Sequence, residues 1–145
     1  MIDFEAKFRS TKGLPFSEGG REYRAYIRLE SGDHTHLRVR FVSGIDTPRQ
    51  GIRIDCPQNI TFQKRRSRSL PFWKDSVPEE FLVQCAPHEN YNVRNLWDNG
   101  DGLEHSWHGG GAFWVETLGE TLRLHANSTL LNDACEDLIV DLTWA

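Results

Sequence analysis

Apolar and polar residues alternate along most of this chain with a period of two. Residues 22–30, EYRAYIRLE, put Tyr23, Ala25, Ile27 and Leu29 on one side and Arg24, Tyr26 and Arg28 on the other. That is the pattern of a strand with one buried face. SGDH (31–34) reads as a turn, and THLRVRFV resumes the alternation with Leu37, Val39 and Phe41 inward. GIRIDC repeats it through Ile52, Ile54 and Cys56, and NITFQ predicts a further strand. After a stretch that reads as irregular, FLVQC (81–85), AFWVETL (112–118), TLRLHA (121–126) and DLIVDLTW (137–144) complete the set. No segment sustains a 3.6-residue period over ten residues, so no helix is expected. Short alternating strands between glycine- and proline-rich turns predict an all-β chain. The expected fold is one antiparallel β-sandwich or jelly-roll-like barrel with long loops, a single domain over residues 1–145.

Composition changes this picture little. The chain has 145 residues, 38% hydrophobic and 26% charged, enough for a core without covalent staples. No apolar run approaches bilayer length. MIDFEAKFRS carries acids where a signal peptide needs a basic segment, and no apolar segment follows. Cys56, Cys85 and Cys135 are an odd count at unrelated spacings, which predicts buried, reduced thiols and a cytoplasmic protein.

Charge changes it more. Residues 1–75 carry 15 Lys+Arg against 9 Asp+Glu, giving +6, and residues 76–145 carry 2 against 12, giving −10, which together make the net −4. If the first two strands form a hairpin with 51–56 nearby, Arg24, Arg28, Arg38, Arg40 and Arg53 share one outer face. Such a face suits an anionic partner, or it is laced by ion pairs to Glu22, Glu30, Asp55, Glu116 or Asp141. The acidic whole disfavours nucleic acid, and a guanidinium fork pairs well with the carboxylates of a protein surface. QKRRSRSLPFWKDS (63–76) adds a second basic run that reads as an exposed loop, with Phe72 and Trp73 either packed beneath it or forming an aromatic patch.

Candidate chemistry gathers in WDNGDGLEHSWHGGGAFWVE (97–116). DNGDG has the composition of a calcium turn, without the full register of an EF-hand. Trp97, Asp98, Asn99, Asp101, Glu104 and Trp107, with Trp73 nearby, combine aromatic surface and hydroxyl-gripping oxygens, the physics of a carbohydrate site. His105 and His108 could hold a transition metal if His125, His34 or His36 supplied a third imidazole. The glycines mark a sharp turn or a close approach.

Two short resemblances bear on these options. GDHTHLRVR resembles the H-x-H motif of the cupins, with His125 standing for the lone histidine of their second motif. This implies a small metal-dependent enzyme, but Arg40 occupies the position of the cupin glutamate. NDACEDLIVDLTW is similar to the acidic turn and last strand of calcium-mediated bacterial lectins, implying Asn132, Asp133, Glu136 and Asp137 as oxygen ligands. Ala134 and Cys135 interrupt that acidic run. There is no G-x-S-x-G elbow, P-loop or dinucleotide fingerprint. The expectation is therefore a non-catalytic recognition module, binding protein or carbohydrate near residues 97–111, with calcium optional. The alternatives are a cupin-like enzyme and an inhibitor or immunity-type protein acting through its charged faces. The sequence does not set the oligomeric state.

Overall fold

A computed structural model describes residues 2–128 and 134–145. The all-β expectation holds, with one short helix, α1 (Phe4–Thr11), ahead of eleven strands. In chain order these are β1 (Phe16–Glu18), β2 (Arg21–Tyr23), β3 (Ile27–Glu30), β4 (His36–Gly44), β5 (Arg49–Phe62) and β6 (Arg65–Trp73). They continue with β7 (Glu80–Gln84), β8 (Asn90–Asp98), β9 (Ala112–Leu118), β10 (Thr121–Asn127) and β11 (Leu138–Trp144).

β1 and β2 form a small hairpin, and the other nine strands form one antiparallel sheet curled into a half-barrel. β3, β8, β5 and β6 make one group, and β7, β4, β11, β10 and β9 the other. The pair Thr61↔Gln84 links β5 to β7 and so joins them. At the far ends Arg24 and Phe113 exchange two backbone hydrogen bonds, 2.8 and 3.0 Å, which draws the start of β3 towards β9. The concave side holds the main core. Leu29, Ile52, Ile54, Phe72 and Val93 of the first group meet Leu37, Val39, Phe81, Leu124 and Val140 of the second. Burial of this apolar surface drives the curl.

Several local expectations are corrected. Residues 22–30 are two strands. The chain bends at Ala25 and Tyr26, so that Tyr23 serves the small hairpin while Leu29 serves the main core. SGDH carries the chain from one group to the other, since β3 pairs with β8 and β4 with β7 and β11. GIRIDC and NITFQ belong to one strand, β5, whose register with β6 jumps between Asp55 and Ile60.

The basic run is β6 rather than a loop. Among the described residues it pairs with β5 alone and is therefore an edge strand, where Pro71 needs no ladder donor and cationic side chains discourage a further strand. Phe72 is fully buried, whereas Trp73 is half-buried.

Helix α1 was missed because it spans only about two turns. Asp3 caps it by accepting from the Ala6 N–H at 3.1 Å, and Glu5 pairs with Arg9 one turn on. Its buried Phe4 and Phe8 pack with Phe16, Tyr23 and Trp107 in a second, smaller cluster.

Two outcomes follow. Phe72→Ala is expected to cost about 3–5 kcal/mol in denaturant unfolding, and Trp73→Ala distinctly less. Burial pushes the Cys85 thiol from its ordinary 9.0 up to about 12. The folded chain therefore keeps a proton that the unfolded chain releases, and stability falls as pH rises from 9 towards 12. Urea titrations across that range should show a shallower decline for Cys85→Ala.

Candidate functional site

The outer face of the first strand group is ordered by register. One row across the strands reads Arg28–Asn92–Asp55–Ser69, and the next reads Arg94–Arg53–Pro71, with Tyr26 just before β3. These residues point outward because Tyr91, Val93, Ile52 and Ile54, alternating with them, fill the core.

Their charges interlock. Arg94 donates to Asp55 Oδ2, and the Ser69 hydroxyl donates to Asp55 Oδ1. Arg53 donates Nη1 to Ser69 Oγ (2.7 Å) and grips Glu104 with both Nε (3.0 Å) and Nη2 (2.7 Å). A partly buried, fully connected network of this kind fixes its members more firmly than isolated surface pairs do.

Glu104 reaches Arg53 because the segment after β8 folds back in an ordered way. Asp98 Oδ1 accepts from the backbone N–H groups of Gly100 (2.8 Å) and Gly102 (3.2 Å), and Asp101 Oδ1 accepts from Leu103 (3.0 Å). Trp97 and His105 then exchange two backbone hydrogen bonds. A single 3₁₀ turn, Trp107–Gly109, follows.

Gly109 and Gly111 lie against Trp97. A Cβ on Gly109 would come within 3.2 Å of the indole, and one on Gly111 within 2.4 Å, while Gly110 sits at φ +101°. The run GGG is thus a close approach at its two ends and a left-handed residue between them.

Folded this way, the segment roofs a cavity of about 330 Å³. Tyr26 and Trp107 supply aromatic surface, Asn92 and Arg94 come from β8, and Glu104, Ser106 and His108 complete the lining. Asn92 Oδ1, Ser106 Oγ and His105 Nε2 are buried and have no hydrogen-bond partner among the described residues. Trp107 is held from behind by α1, with Phe8 edge-on to its ring at 6.1 Å.

The expected site residues fare unequally. Glu104 and Trp107 line this cavity; Asp98 ends β8, and Asn99 and Asp101 lie in the adjoining turn, with Asn99 exposed. Trp97 is only 3% exposed and lies on β8, so its ring is covered rather than offered to a ligand. Trp73 lines none of this cavity; it carries the Arg49 guanidinium 4.5 Å over its ring.

The histidines do not converge. His105 stacks on Trp97, His34 on Trp144 and His125 on Trp114, the last also bonded to Glu116 at 3.1 Å, and His108 lies tilted against Trp107. Among the described residues no three His, Cys, Asp or Glu are grouped to hold a metal ion. Each imidazole covers part of an indole instead. Of the lectin-like ligands, Asn132 and Asp133 lie outside the described residues, and Asp137 accepts from the backbone and hydroxyl of Ser128.

The five arginines are likewise dispersed, because β3 and β4 are separated in the sheet by β8, β5 and β7. Arg24 pairs with Glu22, Arg38 lies 3.9 Å from Glu80, and Arg53 is held by Glu104. Arg28 and Arg40 make no ion pair among the described residues.

Tyr26, Asn92, Arg94 and Ser106 were not singled out from sequence. The alternation of Tyr91 and Val93 with Asn92 and Arg94 in YNVRNLW was the signal for β8.

No protein-family model, curated protein or solved structure matches this chain.

Gly111→Ala is expected to destabilise the fold by about 1–3 kcal/mol, since the indole of Trp97 has no room to retreat. Thermal unfolding checks this, and Gly119→Ala, where a Cβ would meet nothing within 4 Å, separates overpacking from the strain of a positive φ.

Proposed function

We propose that this protein is a non-catalytic recognition module that binds a carbohydrate group in the cavity beneath Glu104–His108. The observation that carries this reading is the pairing of aromatic surface with polar side chains in one small space. Tyr26 and Trp107 stand beside Arg94, Glu104 and His108. Sugar rings have apolar C–H faces that stack on aromatic surface and hydroxyl edges that bond polar groups of this kind.

The carboxylate of Glu104 fits the same role. Arg53 takes one lone-pair position on each oxygen and fixes the group, which leaves further acceptor positions for a pair of hydroxyls. The cavity volume of about 330 Å³ lies at the small end of ligand sites, suited to one ring rather than to a protein surface. A protein partner acting through charged faces is supported by less, because the arginines are divided among distant strands and several are neutralised.

A glycan array followed by isothermal titration tests the reading. Tyr26→Ala, at an exposed position, and Trp107→Ala are each expected to weaken binding about tenfold, the loss of one stacking contact of roughly 1.4 kcal/mol. Binding that is indifferent to both substitutions, or no glycan bound at all, would refute it.

A further inference from the structure

The cavity beneath Glu104–His108 does not stand alone. Asn92 also lines a second depression, of about 290 Å³, together with Arg28, Asp55 and Asn90. Pro57 lines that depression and a third, larger one of about 710 Å³. The shared residues set the three side by side over the outer face, a run from Trp107 past Arg28 to β6 and β7 that we take as one groove.

Its far end has a different chemistry. In register, Arg66, Thr61, Gln84 and His36 lie side by side on β6, β5, β7 and β4. Neighbouring strands place such a row at intervals of about 4.8 Å. Arg66 and Arg68 line the depression, both are exposed, and neither guanidinium makes an ion pair or hydrogen bond among the described residues. Asn59 and Gln58 line it too, brought there by the register jump in β5 between Asp55 and Ile60. A bulge re-aims side chains in this way. Gln58 is held in place by donating to Glu89 Oε1 at 2.6 Å.

We infer that the groove binds a linear acidic oligosaccharide, with one ring against Tyr26 and Trp107 and a carboxylate or sulfate farther along the chain between Arg66 and Arg68. This rests on the carbohydrate reading above and extends it. Two uncompensated guanidinium groups call for an anion, and the amides and hydroxyl beside them call for hydroxyls on the same ligand. The basic end has no aromatic lining on which bases would stack, and the chain is net negative, so a nucleic acid fits poorly. Its apolar lining groups among the described residues, Pro57, Cys85 and Ala86, give a peptide no anchor pocket.

The test uses hexasaccharides rich in uronic acid, each beside its carboxyl-reduced counterpart, titrated at low salt into the full chain. The acidic form is expected to bind about tenfold tighter, one charge-assisted contact's worth, and the preference should shrink as salt is raised. Arg66→Gln/Arg68→Gln should erase the preference while leaving the reduced form's affinity and its dependence on Tyr26 intact. If both forms bind equally, or the preference survives the double substitution, the acidic assignment fails and the carbohydrate reading stands. If neither form binds, both fail. Equal binding of a single-stranded oligonucleotide of matched charge would overturn the glycan assignment in favour of general polyanion binding.

Discussion

The indole of Trp97 and the backbone of Gly109–Gly111 cannot be separated without undoing the outer surface. Trp97 lies one residue from the end of β8, whose inward residues are core, and its ring is covered by chain that lacks Cβ atoms where they would collide with it. The chain must therefore leave β8, reverse, and return across the same ring. The reversal is set by Asp98 and Asp101, which bind their own backbone, and the return by the two hydrogen bonds between Trp97 and His105. Everything distinctive about the candidate site then follows. Glu104 is delivered to Arg53, Ser106 is turned inward, and Trp107 comes to rest on Phe8 of the helix.

A second constraint comes from charge. Residues 1–75 are basic and residues 76–145 acidic, and part of that division is reconciled across the sheet. Arg53 with Glu104 and Arg38 with Glu80 each join the two halves of the chain. The contrast that matters is therefore between arginines that are spent and arginines that are not. Those with carboxylate partners build a rigid floor, while Arg66 and Arg68, on the edge strand, retain full capacity for an external anion.

Much of the fold was legible because period-two alternation is a direct consequence of a sheet with one buried face, and β4 and β7 follow it closely. It failed where polar groups serve the interior or the edge. Asn95 is buried and bonded to the Asn127 carbonyl, which blurs the pattern of β8. The arginines of β6 suit an edge strand as well as they suit a loop, and only pairing with β5 decides between them. At the site, the roofing segment could be found from its composition, but not the partners beneath it. Tyr26, Asn92 and Arg94 are remote in sequence and meet it only through register. The spacing of the histidines suggested ligation, whereas the structure sets His34, His105 and His125 stacked on tryptophans and His108 tilted against Trp107.

The most direct measurement is a titration of isotopically labelled protein with an acidic hexasaccharide, following indole and side-chain amide resonances by NMR. If one ligand occupies the groove, the Trp107 indole and the amides of Asn92, Asn59 and Gln84 shift together along a single saturating curve, while the buried Trp97 indole stays still. Shifts confined to the Asn59 and Gln84 end, or no saturable shift anywhere, would contradict a sugar site beneath Glu104–His108.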